Sequence, residues 1–182
     1  GCMDRFNIDS AFVSATKGFS EATTEGNDSV YQLITRYPHR FIGYCVPNPY
    51  REPLHELKRC LELGFKGVKL HPYYHHCPLD NWMYYPVLEH AQERRIPVLF
   101  HSGGQTTSPD FRFTSPEMVA RVARRYPDLT LIAGHMGIGQ WLDYINSCAA
   151  ISNIYFDLSL SMPYPERLEM VVKEAGVTRV LF

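Results

Sequence analysis

Ile96-Pro97-Val98-Leu99-Phe100-His101-Ser102-Gly103 is a short apolar run that ends on a histidine and turns on glycine. As a strand it is apolar on both faces, the habit of parallel sheets covered by helices. Phe65-Lys66-Gly67-Val68-Lys69-Leu70-His71-Pro72 and Leu129-Thr130-Leu131-Ile132-Ala133-Gly134-His135-Met136-Gly137 repeat the pattern. In α/β proteins ligands bind outside the carboxyl ends of such strands. Three strands that each finish on an imidazole are therefore expected to aim His71, His101 and His135 at one pocket.

Outward from these runs, four more strand patterns occur, at Ser10 to Ala15, Arg40 to Val46, Asn153 to Leu158 and Val177 to Phe182. Strand centres near 12, 42, 68, 98, 131, 155 and 180 recur about every 25 to 33 residues, enough for a strand, a helix and two short loops. The spacing predicts seven βα units. An open doubly wound sheet would satisfy the same spacing, but there is no Gly-rich fingerprint after the first strand, and histidines end several strands. Both points favour an incomplete TIM (β/α)₈ barrel, read as strands 2 to 8 in a single domain over residues 1–182. A whole barrel takes about 250 residues, so the chain is expected to lack its first strand and whatever follows the eighth.

The connecting segments read as helices with identifiable ends. Asp28 or Ser29 caps a helix that Pro38 stops, after a polar loop from Lys17 to Asn27. Leu54, Leu57 and Leu61 mark a helix from Glu52 to Leu63 closed by Gly64, and Asn81 to Arg95 forms another with a basic last turn. Pro116 opens a helix that Tyr126-Pro127-Asp128 stops; Gln140 to Ala150 and Glu166 to Ala175 complete the set.

Composition narrows the function. Hydrophobic residues at 45%, charged residues at 20% and a net charge of -1 give no electrostatic footprint for nucleic acid or an anionic membrane, so the expected partner is a small molecule. No apolar run reaches the roughly 20 residues of a membrane span and no signal peptide is legible, so a cytoplasmic location is expected. Cys2, Cys45, Cys60, Cys77 and Cys148 are odd in number and contain no CxxC, which argues against disulfides and a thiolate zinc site.

Gly67-Val68-Lys69-Leu70-His71-Pro72, Val98-Leu99-Phe100-His101-Ser102-Gly103, Gly134-His135-Met136-Gly137 and Gly176-Val177-Thr178-Arg179-Val180-Leu181-Phe182 stand in one order over nearly the whole chain. In these the chain resembles the metal-dependent hydrolases of the amidohydrolase superfamily, in the branch of aminocarboxymuconate-semialdehyde decarboxylase and related decarboxylases. The resemblance implies a divalent metal, usually zinc, held by an HxH pair on strand 1, a histidine ending strand 5 and an aspartate after strand 8. His101 stands at the strand-5 ligand position and His135 at the strand-6 histidine, which acts on substrate or on metal-bound water. No HxH occurs in this sequence, because His75-His76 are adjacent and follow another strand, and the Gly-Ser-Asp that the resemblance implies after Phe182 is not in it. Metal binding by this chain is therefore expected to be weak or absent. Homodimers are common in the family, and the two open sheet edges add a reason to expect self-association.

Each candidate has a bland reading. His101 could be a core histidine bonded to a carbonyl, and His135 a turn histidine. His71, ahead of proline, could simply mark a strand end. Asp157 could face the pocket or cap a loop before Leu158-Ser159. Lys69 shares a strand face with His71 and could face the barrel; in other branches of the superfamily a lysine at this strand is carboxylated. His75 and His76 read as a solvent-facing or lid-like loop. Tyr73, Tyr74, Trp82, Tyr84 and Tyr85 read as packing near the mouth, and the loops Tyr73 to Asn81 and Gln105 to Thr114 as selectors of substrate. Taken with the resemblance, the reading is a metal-dependent hydrolase or non-oxidative decarboxylase of a small carboxylate or amide-like substrate. His135 is its catalytic residue, His101 its metal ligand, and His71 and Asp157 its pocket residues. The competing reading is a catalytically incompetent barrel fragment, or a binding or assembly module.

Overall fold

The computed structural model describes residues 1–20, 22–103, 112–159 and 165–181. Its strands are β1 (Ala11–Val13), β2 (Phe41–Cys45), β3 (Gly67–Leu70), β4 (Val98–His101), β5 (Leu131–Gly134), β6 (Ile154–Asp157) and β7 (Val180–Leu181). They form one sheet in which strand order equals chain order and every neighbouring pair is parallel. The helices are α1 (Cys2–Arg5), α2 (Thr23–Arg36), α3 (Pro53–Glu62), α4 (Pro72–His75), α5 (Tyr85–Glu93), α6 (Pro116–Arg125), α7 (Trp141–Cys148) and α8 (Pro165–Ala175). Parallel strands in chain order with helical crossovers make the wall of a (β/α) barrel. Among the described residues β1 and β7 are paired only to β2 and β6, so the barrel is incomplete, as expected.

The strands alternate by face. Val68, Leu70, Val98, Phe100, Leu131, Ala133, Ile154 and Phe156 point to the helices and are fully buried. Lys69, Leu99 and Tyr155 on the other face are only half-buried, because the inner face of an open wall is not sealed. Apolar runs thus meet two different environments, with the well-packed core between sheet and helices.

A polar anchor fixes the first part of that wall. Asn27 donates to Glu56 Oε1 at 2.8 Å and to the Val46 carbonyl at 3.2 Å, while Val46 N donates to Asn27 Oδ1 at 3.0 Å. Arg59 grips Glu56 through Nε and Nη2 at 2.9 and 2.8 Å and reaches Asp28 at 2.8 Å. One buried amide thus ties α2 to the end of β2 and to α3, with its hydrogen-bonding groups satisfied.

Several boundaries correct the sequence reading. Helix α2 begins at Thr23, not at Asp28 or Ser29, and Thr16–Phe19 is a 3₁₀ turn within the expected loop. Thr23, Gly26, Asn27 and Val30 form its buried face at helical spacing, and a Cβ on Gly26 would stand 2.8 Å from Gly18 N. The small and polar residues that resemble a loop are there because two backbones meet. His71 caps α4, so the segment after β3 is a helical turn. Trp82–Tyr84 is 3₁₀ before α5, whose first turn holds Pro86. The last strand shrinks to Val180–Leu181, because Val177–Arg179 is 3₁₀ and Arg179 donates to the carbonyls of Ala149, Ile151 and Ala175. Phe182 and most of the Gln105 to Thr114 loop lie outside the described residues. The Cys45, Cys60, Cys77 and Cys148 thiols are buried and Cys2 is exposed, none in a disulfide.

The ends of β4 and β5 cross without side chains between them. Gly103 has φ +79°, and a Cβ there would stand 2.2 Å from the Gly137 carbonyl oxygen. Gly103→Ala is expected to lower stability by more than about 2 kcal/mol, through left-handed strain and this clash together. Urea unfolding measures it; an unchanged midpoint would mean that the crossing yields easily.

Candidate functional site

His71, His101 and His135 come together at the carboxyl ends of their strands. The His71 and His101 rings stack at 4.3 Å with 10° between planes, and the His101 and His135 rings meet edge-on at 5.0 Å and 67°. Hydrogen bonding settles two tautomers. His71 Nδ1 accepts from Tyr74 N at 3.4 Å, so its lone pair is there and Nε2 carries the proton. His135 Nδ1 lies 3.2 Å from the Ser159 carbonyl oxygen, which can only accept. It also lies 2.7 Å from Ser159 Oγ, whose own proton goes to Asp157 Oδ2. Nδ1 of His135 is therefore the donor, and the basic lone pair of the neutral ring is on Nε2.

Asp157 ends β6 and serves both roles considered for it. Its Oδ2 accepts from His135 N at 3.1 Å and from Ser159 Oγ, and its Oδ1 accepts from Ser159 N at 3.3 Å. It caps its own loop and thereby positions His135. Ser159 is the neighbour that sequence reasoning does not single out; its signal is the Asp-x-Ser spacing of a side-chain-to-backbone turn. Ser102 is a second such residue, since its Oγ donates to the Gly134 carbonyl and accepts from Gly137 N at 2.9 Å, fastening β4 to the segment after β5.

The segment carrying His135 departs from regular helix geometry. His135, Met136, Gly137 and Ile138 all have positive φ, and α7 begins only at Trp141. The departures at the three non-glycine residues His135, Met136 and Ile138 store strain that the Ser102 and Asp157 hydrogen bonds hold in place. His75 is likewise corrected. It is buried rather than solvent-facing, with Nδ1 2.9 Å from Tyr84 Oη, and Tyr84 is itself fully buried. His76 is exposed with φ 47°, and Trp82 stands in solvent while Tyr74 stacks on Phe19 and His71.

Burial sets the charge states. It draws His71 far below the ordinary imidazole range, helped by His101 and Lys69, and draws His75 down to about 4. His135 is lowered by burial and then by Lys69, with Asp157 opposing. Lys69 is lowered to about 8 by burial, again opposed by Asp157.

The donor set fits a metal only in part. Zinc sits about 2.0 Å from each imidazole nitrogen and in the plane of the ring, and catalytic sites take three protein ligands. Parallel stacked rings cannot both present in-plane lone pairs to one ion, which removes His71 as a co-ligand of His101. His101 and His135 have centroids at a separation that two tetrahedral ligands would show, but no group of three or more His, Cys, Asp or Glu able to hold a metal occurs among the described residues. A complete coordination sphere needs ligands beyond them.

A sequence model of the amidohydrolase family matches residues 5–182. The chain belongs to this family. Among solved structures, an uncharacterized TIM-barrel protein of Bordetella bronchiseptica superposes with a TM-score of 0.83 at 21% identity, over 99% of this chain and 66% of that one. The 5-carboxyvanillate decarboxylase of Novosphingobium aromaticivorans, complexed with manganese and 4-hydroxy-3-methoxy-5-nitrobenzoic acid, superposes with a TM-score of 0.77 at 22% identity, over 98% and 66%. A curated relative, the 2-keto-4-carboxy-3-hexenedioate hydratase of a Sphingobium strain, is 30% identical over 89 residues, covering 43% of this chain and 26% of the relative. The chain thus spans about two thirds of these structures and about a quarter of that relative. No helix among the described residues is long and apolar enough to cross a membrane.

Lys69 gives a pH-dependent prediction. Its folded value of about 8 lies below the ordinary 10.5, so between these limits the unfolded chain binds more protons and stability rises with pH. Lys69→Met is expected to stabilise the fold most at pH 7 and below, with the advantage shrinking toward pH 10. Urea midpoints of both proteins across that range measure this; a constant difference would show that the amine is not held away from water.

Proposed function

We propose that this amidohydrolase family member contributes the proton-handling part of a lyase site for small unsaturated or aromatic carboxylates. The single observation that carries the reading is the fixed tautomer of His135, a neutral imidazole whose Nε2 lone pair is set by Ser159 and Asp157. Decarboxylation and hydration share one requirement, a proton placed on or taken from carbon. In the first, the C–C bond to CO₂ breaks and its electron pair takes a proton; in the second, water adds across a double bond with a proton to one carbon. A decarboxylase and a hydratase among the similar proteins are consistent with either outcome. We favour decarboxylation of an aromatic or unsaturated acid.

In this reading Nε2 of His135 takes up and returns the proton, while Asp157 holds it in place through Ser159 and the His135 amide. His71 and the aromatic rings packed on it keep water from that side. His101 is the residue of this chain assigned to a divalent metal, manganese or zinc. Because the described donors fall short of a full set, the chain alone is expected to lose metal on dialysis against a mild chelator. The open edges at β1 and β7 belong to the same reading, with self-association covering them. Light scattering that reports only monomer over a wide concentration range would remove that part.

The test is turnover by the full chain with Mn²⁺ or Zn²⁺ supplied, across hydroxybenzoates and unsaturated carboxylates, scored by CO₂ release and water addition. His135→Gln is expected to lower kcat by about 10²-fold or more, and Ser159→Ala by less, with KM little changed. No turnover of any member, or turnover indifferent to His135→Gln, overturns the proposal. Stoichiometric zinc retained through the chelator would place the metal site elsewhere.

A further inference from the structure

The pairing register sorts the inner wall into levels. Lys69 pairs with Leu99, Leu99 with Ile132, and Ile132 with Tyr155. These four form one level, two residues and therefore about 6.6 Å along the strand from that of His71 and His101. Three members are apolar or aromatic, as a barrel layer ordinarily is. The fourth is an amine.

That level faces a cavity of about 490 Å³, whose walls include Phe12, Tyr44, Leu99 and Ile132 and whose polar groups include Lys69 and His135. Phe12 and Tyr44 pack with ring centroids 4.6 Å apart, presenting flat apolar surface to the space. Among the described residues Lys69 makes no hydrogen bond or ion pair. Asp157, the carboxylate that acts on it across the cavity, has its oxygens engaged by Ser159 Oγ, Ser159 N and His135 N. An ammonium turned into an apolar space is costly to keep unless an anion completes it.

We propose that Lys69 anchors a ligand carboxylate in this cavity. The inference rests on the reading of this pocket as the substrate site and adds an anchoring residue to it. Lys69 and His135 line the same space and the amine acts electrostatically on that imidazole, so a carboxylate held by Lys69 keeps the ligand within the reach of His135. The planar body of the ligand then lies against Phe12, Tyr44, Leu99 and Ile132.

Benzoate and its neutral analogue benzamide probe the anchor directly, by calorimetric titration of the metal-stripped full chain. Benzoate is expected to bind about 10-fold or more tightly than benzamide, reflecting a charge-assisted contact. Lys69→Gln is expected to abolish that ratio and Lys69→Arg to keep most of it, each variant being checked for native circular dichroism. Equal affinity for the two probes, no benzoate binding, or a ratio that survives in folded Lys69→Gln overturns the assignment; should Lys69→Gln not fold, Lys69→Met takes its place. The readout needs neither metal nor turnover. Benzoate selectivity without turnover would count against the lyase reading alone, and turnover with an unchanged KM in Lys69→Gln against the anchor alone.

Discussion

The mouth of this sheet depends on one steric fact, that the segments after β4 and β5 touch backbone to backbone. Gly103 sits against the Gly137 carbonyl with no room for a Cβ, and Ser102 Oγ bonds to both Gly134 and Gly137 across the same contact. The neighbouring histidines inherit their separation from it. A side chain at Gly103 would strike the Gly137 carbonyl at this crossing, while one at Gly137 would strike the ring of Tyr144 behind it. The left-handed run through Ile138 follows from the same constraint, because the chain must leave the crossing before α7 can begin.

Below that crossing the structure divides its polar groups between two kinds of use. The Asn27, Glu56 and Arg59 cluster is saturated with partners and holds α2 and α3 to the wall. Asp157 and Ser159 are equally saturated, but what they hold is a reactive ring. Lys69 differs from both, since among the described residues it has no hydrogen-bond partner and only the charge of Asp157 acts on it favourably. Buried networks that are complete rigidify a fold, whereas an incomplete one marks a place where something else completes it.

The wall was legible because the runs near Val98 and Leu131 are apolar on both faces and the run near Val68 departs from this only at Lys69, a repeated pattern that belongs to a parallel sheet covered by helices. The convergence of His71, His101 and His135 followed from strand ends in adjacent positions. The start of α2 was not legible, because Thr23, Gly26 and Asn27 have the composition of a loop and their helical spacing acquires meaning only once Gly18 packs on them. The burial of His75 was hidden for a similar reason, since it depends on Tyr84 arriving from a later turn. Nor could the sequence announce positive φ at His135, Met136 and Ile138, residues that seldom adopt it unless tertiary contacts impose it. Residue types in the site were visible; the hydrogen bonds that choose their tautomers required the third dimension.

The stacking of His71 on His101 has a consequence for the charge that the mouth presents. Two imidazolium rings face to face at 4.3 Å would repel strongly in a space from which water is largely excluded, and burial together with His101 and Lys69 keeps the His71 ring neutral. The stack therefore gives the mouth a flat uncharged side, so that an anion entering there meets aromatic surface on one flank and the Lys69 amine on the other.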